Sequence, residues 1–361
     1  MKYSLFPSFL AALIAAALCI SSCNKEGGDP DDGGNLIKGL VRDTLAGYDS
    51  AGFRDAAGKS ARFFFPCEAV VDPGGNVIVA DEGNDCIRRI TPAGEVSTLA
   101  GSLEHGWGVI SWGFRDGKGT AARFNAPQDV ALDAAGNLYV ADGENHSIRK
   151  ITPDGTVNTI AGNGEAGYTD GRADTARFFM PTALAVDWQG TIYVVERFRH
   201  RVRKIAGGMV TTLAGTGEAG LKDGAGKEAR FYQPRQVAVD GDGNLFLADG
   251  DNRCIRKITP AGEVTTLAGG SGSGLADGKG QAARFIQPEG LAIDSRGNLY
   301  VGDDGYLRKV TAAGEVSTLE VEDFAGEPAL FRYATGVTMD AKGNLFGVER
   351  NDHYVWKLKR K

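Results

Sequence analysis

The sequence is poor in cysteine and histidine and carries no excess of positive charge. Of five cysteines in 361 residues, Cys19 lies within an N-terminal apolar segment and Cys23 at its end. Cys67, Cys86 and Cys254 remain, an odd number that excludes a full disulfide framework and suits small buried thiols. The 40 Lys and Arg stand against 46 Asp and Glu, a formal charge of −6. The basic footprint of a nucleic-acid binder is therefore absent. The apolar run at residues 10–20 is too short to span a bilayer, for which about 20 residues are needed. No helical period extends over more than a few residues. No nucleophile elbow, phosphate-binding loop, HExxH or dinucleotide fingerprint occurs. These absences exclude enzymes recognisable by a local motif, but not a site assembled from distant segments.

What is present is globular. Apolar residues make up 42% and charged residues 24%, and 52 glycines suit many tight turns. Lys2 precedes the apolar run, which closes on Ile20-Ser21-Ser22-Cys23. This resembles a bacterial lipobox. Residues 1–22 then form a lipoprotein signal peptide and Cys23 becomes the lipidated N-terminus, anchoring a soluble domain to a membrane face. An ordinary secretory signal that ends near a cysteine is the alternative. Residues 23–35 read as a flexible, acidic, Gly/Pro-rich tether. Asn24 follows the cysteine, and similarity to lipoproteins of two-membrane bacteria points to the outer membrane. The acidic run resembles export signals of Bacteroidota surface lipoproteins, so the expected location is an outer-membrane lipoprotein, periplasmic or surface-exposed.

The remainder, 36–361, is organised by copies of residues 122–162. An Asp ends the first segment of each copy at Asp72, Asp133, Asp187, Asp240, Asp294 and Asp340, at spacings of 61, 54, 53, 54 and 46 residues. Each copy holds four short β-type segments bounded by Gly, Asn, Asp and Pro. The expected fold is all-β, a six-bladed propeller of four-stranded blades. The last copy stops after its third segment, VWKLKR. The segment VRDTLAG, near the start, matches the fourth-segment pattern EVSTLAG. An N-terminal strand should therefore complete the last blade and hide a sheet edge.

The stretch PQDVALDAAGNLYVADGENHSIRKI and its copies resemble NHL repeats, a family of six-bladed propellers. The DG…ARF linkers resemble those of Bacteroidota lipoproteins that carry this propeller.

Several residue sets recur and could carry chemistry. His146, His200 and His353 share one repeat position, which Asp85 and Arg253 fill in other copies. Three imidazoles on one ring could hold zinc, as in the amidating lyases that this arrangement resembles. Local packing or hydrogen bonding is the favoured role, so no cofactor is expected, with zinc or calcium in the channel as the alternative. The linkers pair Asp55 with Arg62, Asp116 with Arg123, Asp170 with Arg177, Asp223 with Arg230 and Asp277 with Arg284. These pairs should pin the linkers, with Phe63, Phe124, Phe178, Phe231 and Phe285 buried at the joints; the sixth copy, Leu330-Phe331, keeps the aromatic and loses the Arg. The carboxylates closing each second strand (Asp81, Asp142, Glu196, Asp249, Asp303, Glu349) should accept hydrogen bonds from the loop that follows.

Positions that are not copied point more directly to function. Cys67, Gln128, Thr182, Arg235, Glu289 and Thr335 occupy one position near the start of each inner strand. Facing the axis, they would build a mixed polar mouth. The loops after the second strands add Arg197, Arg199, Asp251, Tyr306 and Tyr354. The long loop 102–114 adds His105, Trp107, Ile110 and Trp112, as an aromatic platform for a ligand or as a plug over the channel. The expected ligand-binding set is Trp107, Trp112, His105, Gln128, Arg235, Glu289, Arg197, Arg199 and Tyr306, with no catalytic residue. The expected function is a lipid-anchored envelope module that binds or scaffolds a glycan or protein partner through its loop-rich face. Its only membrane contact would be the lipid anchor. The alternative is a lyase or hydrolase of the same fold with a metal-dependent site in the channel.

Overall fold

The structure is a computed structural model that describes residues 39–48, 50–101, 112–323, 325–331 and 334–360. The signal segment, the tether with Cys23, and His105 and Trp107 of the long loop lie outside the described residues. Six sheets follow one another along the chain, antiparallel except where Leu40–Gly47 meets the short strand Val321–Glu322 in parallel. In blade two the strands are Pro127–Leu132, Leu138–Asp142, Ser147–Ile151 and Thr156–Ala161, counted from the inside outward. Blade one spans 66–101, blade three 183–214, blade four 234–269 and blade five 288–318. Among the described residues the only helices are single 3-10 turns.

The strands form from local sequence. Asp133 caps the turn between the first two strands of blade two: its Oδ1 accepts the Asn137 amide at 2.8 Å and its Oδ2 accepts Asn137 Nδ2 at 2.8 Å. Gly136 supplies the φ of +80° that this turn requires. Asp72, Asp240, Asp294 and Asp340 hold their turns the same way. The second strands are buried along their whole length, as in Leu138–Asp142 and Leu245–Asp249. Both sheet faces are therefore covered by neighbouring blades.

Leu40–Gly47 pairs antiparallel with Tyr354–Arg360, Leu40 opposite Arg360 and Gly47 opposite Tyr354. It is the fourth strand of blade six, whose other strands are Ala334–Met339, Leu345–Glu349 and Tyr354–Arg360. The first strands of adjacent blades contact one another in an unbroken circuit of six. The core lies between blades rather than at the axis. One apolar cluster joins Val79 of blade one to Phe346 of blade six, and others join blades one and two, two and three, three and four, and four and five. Phe63, Phe124, Phe178, Phe231 and Phe285 sit fully buried in these joints.

The linker Asp–Arg pairs do not form as expected. Each linker doubles back, with Arg54 opposite Arg62, Arg115 opposite Arg123, Lys222 opposite Arg230 and Ala276 opposite Arg284. Neighbouring residues on such a strand face opposite sides, so Asp116 points away from Arg123. It meets Arg149 of the third strand at 2.8 Å. Arg149 also binds Asp142 at 2.7 Å and donates to the carbonyls of Arg115 and Arg123. Its guanidinium lies over the rings of Phe114 and Phe124, 5.2 and 5.1 Å from their centroids. Arg88, Arg203, Arg256 and Arg308 repeat this arrangement with Asp55 and Asp81, Asp170 and Glu196, Asp223 and Asp249, and Asp277 and Asp303. The linker arginines go elsewhere: Arg123 to the carbonyls of Thr120 and Ala122, Arg177 to Glu165, Arg230 to Glu218.

Blade six departs as a unit. Trp356 stands where the other blades carry the buried Arg, and it is fully buried against Phe331, with ring centroids 5.0 Å apart. Gly347 makes room for it, since a Cβ there would lie 2.2 Å from the Trp356 ring. Arg42 of the closing strand covers the other joint components: it donates to the Leu330 carbonyl at 2.6 Å and lies 5.3 Å from the Phe331 centroid.

Candidate functional site

The recurring histidines are latches between blades. Nδ1 of His146 accepts the Met180 amide at 3.2 Å, that of His200 the Gln233 amide at 3.1 Å, and that of His353 the Phe65 amide at 3.2 Å. Asp85 does the same for Ala126 at 2.9 Å. Each acceptor residue is left-handed, with φ from 50° to 58°, which aims its side chain at the next blade. Each imidazole is thus spent on its own neighbour. Among the described residues no three His, Cys, Asp or Glu side chains are placed to hold a metal. Cys67, Cys86 and Cys254 are buried free thiols.

The second-strand carboxylates are spent likewise. Asp142 accepts the Asn125 amide at 2.8 Å and Asn145 Nδ2 at 2.8 Å, besides Arg149. Burial pushes Asp142 up to about 6 against the pull of Arg149, which leaves it ionised at neutral pH.

The axis holds a belt that the sequence did not disclose. Glu68, Asp129 and Gln236 lie one residue beyond the mouth positions and are buried. Asp129 accepts the amides of Val130 at 2.6 Å and Leu184 at 2.7 Å, and Gln236 Nε2 at 3.5 Å. Glu68 accepts the Ala69 amide at 3.3 Å. Burial and the nearby Asp129 raise Glu68 well above the usual carboxylate range, and burial raises Asp129 to about 7. Gly336 leaves the space Glu68 fills, because a Cβ there would sit 2.8 Å from Glu68 Oε2. The belt divides the channel. A cavity of about 350 Å³ lies on the loop side and one of about 200 Å³ on the other, with Glu68 lining both.

The larger cavity is the mouth. Cys67, Gln128, Thr182, Arg235, Glu289 and Thr335 all line it, one from each blade. Loop residues Glu82, Glu144, Arg197, Phe198, Arg350 and Asn351 complete it. Arg235 binds Glu289 at 2.5 Å and reaches Asp251 at 3.4 Å. Arg350 pairs with Glu82, which also accepts the Cys67 thiol at 2.8 Å. Burial and Glu82 raise Cys67 well above the usual thiol range, so it stays protonated. Arg197 donates Nε to Gln233 Oε1 at 3.1 Å. Arg199 lies over the Phe179 ring at 4.1 Å, and neither it, Tyr306 nor Trp112 is among the residues lining the cavity. Trp112 is 55% exposed. The sequence reading missed Glu82 and Arg350, which follow the second-strand carboxylates. They vary from copy to copy, and that is the signal that would have found them.

A family model for the NHL repeat matches residues 124–151, the body of blade two. The chain is an NHL-repeat propeller. Protein SUPPRESSOR OF QUENCHING 1 of Arabidopsis thaliana is 30% identical over 270 residues, covering 70% of this chain and 25% of that protein. NHL repeat-containing protein 2 of Homo sapiens is 25% identical, covering 88% of this chain and 49% of its own length. The chain thus spans a quarter of the first of these relatives and about half of the second. A Bacteroides thetaiotaomicron protein of unknown function has the same fold at a TM-score of 0.66 and 20% identity, covering 89% of this chain and 76% of that one. An auxiliary nutrient binding protein of the same organism superposes at 0.64 and 12% identity, with the same coverage of each chain. A streptogramin B lyase shares the fold at 0.54 and 12% identity, covering 91% of this chain and 100% of that one.

The buried belt of this NHL-repeat propeller makes its stability depend on pH. Both carboxyl groups have raised folded-state values. Their contribution is therefore complete below the unfolded range near about 4 and is lost as pH rises through about 7. Glu68→Gln removes one of the two like charges at constant size. Its Tm should exceed that of the parent by about 2–6 °C at pH 8, and the gap should narrow at pH 5. A gap independent of pH in scanning calorimetry would contradict the coupling of the two groups.

Proposed function

We propose that this propeller is a binding module that seats a glycan or protein partner at its loop-side mouth, with the exposed Trp112 on the neighbouring rim. The observation that carries this reading is the division of labour among polar residues. The copied ones are consumed by the frame, whereas the lining of the cavity of about 350 Å³ includes one equivalent position from each blade, filled by five different residue types. A concave site with a few placed polar groups is what ligand recognition requires. The auxiliary nutrient binding protein of similar fold is in keeping with such a role. A metal-dependent lyase or hydrolase would need His146, His200 or His353 to abandon its latch, so binding takes precedence. Glycan and peptide arrays probed with the protein test the reading. Thr182→Trp, which fills the mouth, should abolish the signal, and Trp112→Ala should weaken it. Binding untouched by Thr182→Trp would move the site away from the mouth, and silence on both arrays would reject the module.

The Ile20-Ser21-Ser22-Cys23 motif and the tether behind it support an anchored protein, lipidated at Cys23 and held at the outer membrane. Palmitate labelling should mark the parent and not Cys23→Ser, which should leave the membrane fraction. A labelled Cys23→Ser protein would refute the assignment.

A further inference from the structure

Three guanidinium groups face the mouth, and two of them are committed. Arg235 holds Glu289 and Asp251, and Arg350 holds Glu82. Arg197 forms no ion pair with a carboxylate among the described residues, although Glu289 and Asp251 are near enough to favour its charge. Its Nε is taken by Gln233, which leaves the two Nη groups, the fork that binds a carboxylate side-on. It is half-buried on a short turn of blade three, and its ring neighbour Phe198 lies 5.3 Å away and is 44% exposed. Burial and the proximity of Arg235 disfavour the Arg197 charge. A cation that is partly dehydrated and set beside another cation gains from an incoming anion.

The rest of the cavity narrows the anion's class. Gln128, Thr182, Thr335 and Asn351 surround the same space as Arg197. The two threonine hydroxyls donate to the carbonyls of Val195 and Cys67 and keep their lone pairs for sugar hydroxyls. Glu144 at the edge can accept from them too, and Phe198 offers an aromatic face. Hydroxyl-rich rings with one apolar face match that lining. A cavity of about 350 Å³ lies at the small end of ligand pockets. It suits one or two sugar rings rather than a length of chain. We propose that the ligand is an acidic sugar of the uronate class, whose carboxylate is received by the fork of Arg197. This rests on the reading of the mouth as the binding site.

The test is an array of matched oligosaccharides, ending either in a uronate or in the same sugar with its carboxyl reduced to the alcohol, together with acidic peptides. The parent should bind the uronate at least about tenfold more tightly than its reduced twin, the scale of charge-assisted hydrogen bonds. Arg197→Gln should erase that preference with an unchanged melting profile, and Arg197→Lys should keep part of it. Arg172→Gln, an exposed cation in another linker, controls for loss of one positive charge and should retain the preference. Tighter binding of the reduced sugars, binding of acidic peptides instead, or a preference that survives Arg197→Gln would each overturn the proposal while leaving the module intact. Binding to no member of the array would overturn both.

Discussion

The structure depends on a guanidinium buried at the middle of five of its six blades. Arg149 typifies it: fully buried, bridging Asp142 of the second strand and Asp116 of the linker, with two carbonyls and two aromatic rings around it. Such a group is costly to dehydrate and stabilises only when its partners are all in place. Even here one donor goes unmet, since Nε of each of the five arginines has no acceptor among the described residues. The arrangement therefore acts less as a source of cohesion than as a condition on geometry. A linker that failed to return to its own blade would leave a buried charge without a partner.

That condition explains the traffic of the polar residues. The linker Asp binds the third-strand Arg and also the fourth strand, as Asp223 accepts the Thr266 amide at 3.0 Å. The second-strand carboxylate binds the same Arg and the amide of the residue after the linker Phe. The histidine then ties the blade to its neighbour. Blade six shows the dependence by exception. Without the Arg it shows no linker Asp–Arg network among the described residues, Gly347 and Trp356 exchange volume across the strands, and Arg42 is brought in by the closing strand. With the frame satisfied internally, chemistry aimed outward is left to residues that the frame does not use, and these gather at the mouth and in the belt.

Much of the frame was legible in the sequence, because it is written in local and repeated signals. The turn aspartates, the linker phenylalanines and the closing segment VRDTLAG each announce a role by position within a copy. The pairing of Asp116 was misread because adjacency in sequence says nothing of which side of a doubled-back linker a side chain takes. Glu68, Asp129 and Gln236 were missed because their importance arises only when six inner strands meet at one axis. The bond between Arg350 and Glu82 is hidden for the same reason, since it joins the last blade to the first. The mouth positions were found by comparing copies and attending to what was not repeated. Glu82 and Arg350 lay within reach of that comparison, whereas their contact did not.

The claim that buried guanidinium groups set the frame is tested most directly by a double-mutant cycle between Arg149 and Asp142, followed by chemical denaturation. Arg149→Met alone strands a buried carboxylate and should cost about 3–5 kcal/mol. Adding Asp142→Asn should recover part of that loss, giving a coupling energy above about 1.5 kcal/mol. Strictly additive effects, or an Arg149→Met protein as stable as its parent, would contradict the account.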